Sequence, residues 1–595
     1  MFKHINYTFS KASTILLFLI LNFSLSGQQE PSVSWDKVVG GIYNENANSI
    51  QQTSDGGYIV VGTVSNGNTV SNGNNEIDFW IVKLDVDGSK VWDKTLGGSG
   101  YDIANSIEQT FDGSYIIAGE TTSNDGDISD GNNGAYDYWV VKLDNVGNIV
   151  WDKTLGGSGA DYGKSIHQTT DGGYIVAGIT TSNDGDITDG NNGGSDSWIV
   201  KLDANGNKVW DKNSGVSAKD DVNSIQQTMD GGYVVVGTTH RDNGYNYDDI
   251  FGLIEYRIVK LDNVGNTLWD KTLGGSGLDR AHSIQQTSDG GYIVAGYTDS
   301  NDGDISDGNN GYTDYWIVKL DANGNKVWDK TLGGSNLEKA YSIQQTFDEG
   351  FILAGSSRSQ DGDLRFNNGQ ADYWIVKLDG NGNIVWDKTL GGSGLEKASS
   401  IQQTSDGGYI IAGQTTSNDG DISDGSNGGY DFWIIKLDGY PRYDIIYNIG
   451  NATNHSQNPE SYTKLDSIVF KSATKVGQTF IGWYTDPMYN NPITYIPKGS
   501  IGDIELWANF EISKGIDELK QENPLIIYPN PANAKIILEN NAVKALGKVQ
   551  IVDVTGKIVK QFVTQKSTME IDVSIFENGI YFVKAGSVSQ KLVKK

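Results

Sequence analysis

The sequence predicts an all-β chain whose main body is a seven-bladed β-propeller closed by its own N-terminal strand. Three observations predict it. A unit of about 59 residues recurs, and the tryptophans that open it, Trp35, Trp92, Trp151, Trp210, Trp269, Trp328 and Trp386, stand 57, 59, 59, 59, 59 and 58 residues apart. Self-similarity at a fixed period sets the architecture before any local reading. Each unit holds four short apolar runs separated by Asp-Gly-Gly and Asn-Gly-Asn turns, whose residues accept positive φ. The array opens with a strand of the fourth type, Val33-Ser-Trp-Asp-Lys37, and ends with one of the third type, Asp431-Phe-Trp-Ile-Ile-Lys-Leu-Asp438. Those two would pair and close a ring of radially repeated four-stranded sheets. An open β-solenoid leaves that phase unexplained.

Composition agrees with many short strands. The 595 residues include 76 Gly and only 9 Pro. They carry 75 acidic against 45 basic side chains, a formal charge of −30. Nucleic acid and anionic lipid need clustered Lys and Arg, so both are excluded as partners on this balance. There is no cysteine, which removes disulfides, thiol catalysis and Cys-ligated metals.

Residues 1–27 read as a secretory signal. Lys3, His4 and Lys11 precede the apolar run Thr14 to Phe23, and Ser24-Leu-Ser-Gly27 offers small residues for cleavage. The run is shorter than the ~20 residues of a spanning helix, and no integral membrane segment is expected elsewhere. Residues 28–440 hold the repeats. In the second unit the expected strands are Ser106–Thr110, Tyr115–Gly119, Asp137–Asp144 and Ile149–Thr154. The Tyr-Trp-Val-Val run of the third is apolar on both faces, as a strand packed between two sheets should be. The Ser-Ile-Gln-Gln-Thr strand occurs at Ser49, Ser106, Ser165, Ser224, Ser283, Ser342 and Ser400, with changes within it, and this gives the count of seven.

The period breaks after Gly439. Residues 441–511 contain Gly477-Gln-Thr-Phe-Ile-Gly-Trp-Tyr-Thr-Asp-Pro487 and Ile504-Glu-Leu-Trp-Ala-Asn-Phe510. This segment resembles the Listeria–Bacteroides repeat, the small β-grasp-like module also found in internalins, with Gln478 where that family usually has Tyr. The resemblance implies a spacer or adhesive unit without catalysis. Residues 512–524 are polar and read as a linker. Residues 525–595 carry Ile526-Ile-Tyr-Pro-Asn-Pro-Ala532, Asp553-Val-Thr-Gly-Lys557, Asn578-Gly-Ile-Tyr-Phe-Val583 and the basic end Gln590-Lys-Leu-Val-Lys-Lys595. This segment resembles the type A C-terminal sorting domain of the type IX (Por) secretion system of Bacteroidetes, with Phe576 where a leucine is customary. The resemblance implies a β-sandwich read by the type IX machinery, passage through the outer membrane, and a mature protein anchored at the surface or released.

Two acidic features repeat. A carboxylate stands four residues before each first-strand serine: Glu45, Asp102, Asp161, Asp220, Asp279, Glu338 and Glu396. They are either turn residues capping backbone N–H groups or a ring of carboxylates at the channel mouth that attracts cations. The loop Asn124-Asp-Gly-Asp-Ile-Ser-Asp-Gly-Asn-Asn-Gly134 recurs three times. Its acids are Asp125, Asp127 and Asp130, then Asp184, Asp186 and Asp189, Asp302, Asp304 and Asp307, and Asp419, Asp421 and Asp424. Hard oxygen ligands on a glycine-rich loop suit Ca²⁺, although the spacing is not that of an EF-hand. The alternative is a loop shaped by Asx turns.

The fourth unit departs most. Arg257 replaces the third-strand tryptophan, and the loop there brings His240, Arg241, Tyr245, Tyr247 and Asp248. These are candidate ligand-binding residues, or drift in a surface loop. No nucleophile elbow, phosphate loop or paired-histidine metal motif is present. Near-identical blades repeat one environment, whereas acid–base catalysis needs two. The reading is therefore an exported monomeric binding or adhesion protein for a glycan or protein ligand. A polysaccharide hydrolase or lyase, with Asp220 or Asp221 and His240 as its local candidate, and a purely structural surface component remain the alternatives.

Overall fold

The computed structural model describes residues 30–595 except 70–74, 192, 216–218, 242–252, 365, 440–442, 465, 513–524 and 542–543. The expected signal segment lies outside the described residues. Every regular element among the described residues is a β-strand. The chain divides into two compact units. One runs to Tyr443 and includes Ser461–Ser467 and Pro497–Ile501. The other comprises Asp444–Glu460, Ile468–Ile496 and Gly502–Lys595.

Each repeat forms a four-stranded antiparallel sheet of the kind found in propeller blades. The third repeat shows the pattern, with neighbours in the order Asp161–Gln168, Tyr174–Thr180, Asp196–Leu202 and Lys208–Asn213. Six repeats are contiguous in this way. The seventh sheet takes Glu396–Gln403, Tyr409–Thr415 and Asp431–Leu437 and is completed by Val33–Val39, with Trp35 opposite Lys436 and Val39 opposite Phe432. First strands begin four residues earlier than the Ser-Ile-Gln-Gln pattern indicates, at the acid. A bulge between Gly163 and Ser165, repeated in every sheet, shifts the register there and lets pairing continue.

No single sheet can bury both of its faces, so the apolar side chains meet their partners in the next sheet. The repeat-opening tryptophans do this at every step. Trp35 packs edge-on against Tyr58, Trp92 against Tyr115, Trp151 against Tyr174, Trp210 against Tyr233, Trp269 against Tyr292, Trp328 against Phe351 and Trp386 against Tyr409, with centroids 5.6–6.0 Å apart. Deeper in, Tyr138 packs on Trp198, Tyr315 on Trp374 and Tyr373 on Trp433. Edge-to-face and tilted geometry suits the aromatic quadrupole.

Polar groups repeat with the same fidelity. The second glutamine of each Gln-Gln pair accepts a backbone N–H from the first hairpin turn of the preceding sheet. Phe111 N donates to Gln168, Thr170 N to Gln227, and finally Ser405 N of the seventh sheet to Gln52 of the first. In every sheet the lysine of the third strand, buried in all but the second, pairs with the aspartate of the first hairpin turn, as in Lys83–Asp55 and Lys436–Asp406 at 2.9 Å. The aspartate of Trp-Asp-Lys accepts the indole N–H of the third-strand tryptophan. In four sheets it also accepts the N–H and hydroxyl of a loop Ser or Thr, as Asp329 does from Trp316 at 3.1 Å and from Ser306.

In the second unit, Tyr447, Phe470, Phe480, Trp483 and Phe510 form one aromatic group. There Gln478–Tyr484 pairs antiparallel with Ile504–Ile512. The C-terminal segment has a three-stranded sheet, Leu525–Tyr528, Lys535–Asn540 and Thr568–Asp572, and a four-stranded one, Gly547–Asp553, Ile558–Thr564, Gly579–Ala585 and Val588–Lys594. Both share a core that includes Leu538, Ile551, Val583 and Leu592.

Because Asp329 serves a buried indole and a loop, Asp329→Ala leaves several buried donors unpaired and should cost about 2–4 kcal/mol in urea unfolding. Exposed Asp87→Ala should change it by less than about 0.5 kcal/mol.

Candidate functional site

The seven acids at the start of the first strands do not form an exposed, cation-attracting ring. All are buried, with exposures of 0–2%. Asp102 accepts N–H from Gly98 at 2.8 Å and hydroxyl protons from Thr121 and Ser123. Asp161 accepts from Gly157 and Ser182, Glu338 from Gly334 and Ser357, and Glu45 from Gly41. These carboxylates therefore hold the loops that enter their own sheets. The correction has a simple cause: the bulge extends the strand, which carries the acid into the packed loop layer.

A second acid meets each of them there, at the start of the preceding sheet's third strand. A Cβ added to Gly156 would lie 2.4 Å from Asp137 Oδ1 and 2.7 Å from Asp161 Oδ2, so only glycine fits between the two carboxyls. Burial, then the charge of the neighbouring acid, raises these groups. Asp137 and Asp372 go to about 6, Asp314 to about 7, and Glu45, beside Asp431, to about 7. Oδ1 of Asp137, Asp314 and Asp372 has no hydrogen-bond partner among the described residues. A carboxyl that is buried beside a like charge, with one oxygen lacking a donor, is stabilised by holding a proton.

The glycine-rich loops clamp the entry loop and the outer strand of their own sheet. Asp125 accepts from Ser99 N at 2.7 Å, Asp127 from Gly97 N at 3.1 Å, and Asp130 pairs with Lys153 at 2.8 Å. The copies do the same. Asp184, Asp302 and Asp419 bind Ser158, Ser276 and Ser393. Asp186, Asp304 and Asp421 bind Gly156, Gly274 and Gly391. Asp189, Asp307 and Asp424 pair with Lys212, Lys330 and Lys37. The donor set does not fit Ca²⁺. The three acids face different partners, and among the described residues no group of three or more His, Asp or Glu could hold a metal ion.

Arg257 is not a ligand residue. It is 5% exposed and grips Asp270, with Nη2–Oδ2 at 2.7 Å and Nε at 3.2 Å from both oxygens. It thus supplies the N–H that tryptophan supplies in the other six sheets, and Ser197 stands where those sheets place an aromatic ring against that tryptophan. Tyr245, Tyr247 and Asp248 lie outside the described residues, as does the Arg241 side chain. His240 ends an extended second strand, Tyr233–Arg241. Burial lowers its pKa, opposed by Asp221. Burial raises Asp221, opposed by His240 and Arg280. Asp221 is thus within electrostatic reach of His240 and of Arg280, the last of them unforeseen.

The innermost strands surround a cavity of about 230 Å³, lined by isoleucines and glutamines such as Ile225, Gln226, Ile343 and Gln344, with His167 from the third sheet. His167 Nδ1 lies 3.1 Å from Glu108, which replaces glutamine in the second sheet, so the two departures compensate each other. Above this ring the repeats stop resembling one another. The residue after the acid is Asn46, Ile103, Tyr162, Asp221, Arg280, Lys339 or Lys397, and two further on it is Asn48, Asn105, Lys164, Asn223, His282, Tyr341 or Ser399. The residue opposite the first of these is Thr63, Glu120, Ile179, Thr238, Tyr297, Ser356 or Gln414. Of these positions sequence reasoning singled out only Asp221. Comparing the seven repeats column by column along the first two strands would have found the rest.

Fold and site define a repeat protein of blade-like four-stranded sheets, with its individuality concentrated on the innermost strands. Residues 526–595 match the secretion system C-terminal sorting domain. That domain marks proteins exported by the type IX secretion system to the cell surface or extracellular space, and this chain carries it. No curated protein matches the chain. Solved structures similar to it include a protein of unknown function from Dyadobacter fermentans DSM 18053, at 11% identity and TM-score 0.36 over 68% of this chain and 98% of that one. The Neurospora crassa Pan2 WD40 domain matches at 9% and 0.37 over 66% and 89%, and Sqt1 from Chaetomium thermophilum at 9% and 0.34 over 68% and 100%. No helix of the described residues is long and apolar enough to cross a membrane.

Two outcomes are expected in solution. The paired acids, raised to about 6–7, contribute stability that is whole below the usual carboxylate value of ~4 and is lost as pH rises through 6–7. The turn acids Asp55, Asp230 and Asp289, held at about 2 by Thr and Lys hydrogen bonds that outweigh burial, contribute stability present above ~4 and lost as pH falls toward 2. Tm should therefore peak near pH ~4–5, and Asp314→Asn should flatten the decline toward pH 8. An unchanged alkaline limb would refute the assignment. Separately, Asp127→Asn should lower Tm equally in EDTA and in Ca²⁺, since it loosens the grip on Gly97. A loss seen only with Ca²⁺ would restore the metal reading.

Proposed function

We propose that this chain is a surface or secreted binding protein built on a seven-bladed β-propeller closed by its N-terminal strand. The pairing of Val33–Val39 with Asp431–Leu437 and the bond from Ser405 to Gln52 support closure. The observation that carries the binding reading is the contrast on the innermost strands. Ser, Ile and Gln recur nearly unchanged, while three adjacent positions differ from sheet to sheet. Scaffold positions repeat because they make the same contacts seven times, and a single ligand needs positions that do not. The segment 441–511 serves as a Listeria–Bacteroides-type spacer. The sorting domain addresses the chain to the type IX machinery.

The test offers the purified chain to immobilised polysaccharides and surface proteins and analyses both phases. Saturable binding without new reducing ends, unsaturated sugars or peptide fragments is the expected result. Turnover of a bound polymer would replace this reading with the enzymatic one.

A further inference from the structure

We infer, building on that reading, an anion-binding site on the innermost strands of the fifth to seventh sheets, suited to a carboxylated or sulfated polysaccharide and formed by Arg280, His282, Tyr297, Lys339, Tyr341 and Lys397. Lys339 Nζ lies 4.8 Å from the centre of the Tyr297 ring and Lys397 Nζ 4.2 Å from that of Tyr341. His282 stacks on Tyr297 at 5.5 Å and tilts against Tyr341 at 5.0 Å. The side chains interleave from sheet to sheet. The cation of each sheet lies on the aromatic ring of the one before, and the histidine fits between the two rings.

Two independent observations point to a ligand. First, the cations make no ion pairs among the described residues; Asp221 is within electrostatic reach of Arg280 but not paired with it. None of Arg280, Lys339, Arg358 and Lys397 makes an ion pair within 4 Å among the described residues. The equivalent positions of the second and third sheets neutralise themselves, with Lys164 3.0 Å from Glu120 and Asn105 also donating to it. Burial first, then mutual repulsion, lowers Lys397 and Lys339, the latter through Arg280 and exposed Arg358. In a chain of charge −30, gathered cations on one wall cost free energy that an anion would offset. Second, His282 Nε2 is buried with no hydrogen-bond partner among the described residues. Such an atom is destabilising unless something satisfies it.

Several cations on successive strands suit several anionic groups along a polymer. The overall negative charge repels polyanions from the rest of the surface, so binding must rest on this patch. Export to the surface or exterior selects polysaccharide over nucleic acid.

The experiment uses the intact chain with polygalacturonate, dextran sulfate and neutral dextran as probes in affinity electrophoresis and calorimetry. The expected result is binding of one or both acidic polymers, the pair separating carboxylate from sulfate recognition, with little affinity for neutral dextran. Lys339→Gln and Lys397→Gln should each weaken it about tenfold. The charge-keeping Lys339→Arg/Lys397→Arg pair should retain most of it, and Lys330→Gln, on an outer strand, should leave it unchanged. Tm of each variant reports folding. Equal binding by a folded glutamine variant would overturn the site, as would tighter binding of single-stranded DNA. Binding of a neutral polymer alone would remove this site and leave the binding reading standing. Cleavage of a bound polymer would remove that reading.

Discussion

An outer tryptophan of one sheet lying edge-on against the tyrosine of the next is the contact on which the rest depends. It occurs at all seven steps, with phenylalanine once in place of tyrosine, and Trp35 and Tyr58 make it across the chain's first and last sheets. A sheet with two apolar faces and no neighbours would be insoluble. Stacked against its copies, it needs no helix, no cysteine and little proline. The hydrogen bonds follow from that stacking. Once sheets are held at one spacing, a glutamine side chain reaches the turn beside it every time, and a sequence repeat becomes a series of equal bonds.

The same economy explains the acids. Much of the negative charge that suggests cation binding is committed to backbone N–H groups and lysines inside the loop layer. Asp127 and its copies hold Gly-Gly entry loops, and Asp102 and its copies hold the strand starts. Close packing forces carboxyls such as Asp137 and Asp161 together around Gly156, and burial then favours protons on them. Their pH response is a consequence of packing and needs no signalling role.

Much of this was legible in the sequence. The period, the four strands, the turns and the displaced first strand all follow from glycine placement and the spacing of tryptophans. The third-strand arginine was legible as a departure but not as a replacement, because its role depends on Asp270, thirteen residues on and adjacent only through strand register. The acids were misplaced for a related reason. A bulge changes which face a residue meets, and sequence alternation does not show where one falls. The cationic group was invisible for a third reason. Its members come from three repeats, and each reads as an ordinary substitution until the ring puts them side by side.

That last point bears on where function can lie in such a molecule. A contact made seven times is under the same constraint seven times, so a substitution there must be compensated, as Glu108 is by His167 and Arg257 by its grip on Asp270. Both departures therefore restore the scaffold. The substitutions on the fifth to seventh sheets restore nothing. They gather cations and rings on neighbouring strands and leave the His282 nitrogen without a partner among the described residues. Departures that stabilise the fold explain themselves. Departures that strain it are accounted for only by something that binds there, and on these strands the missing charge is negative.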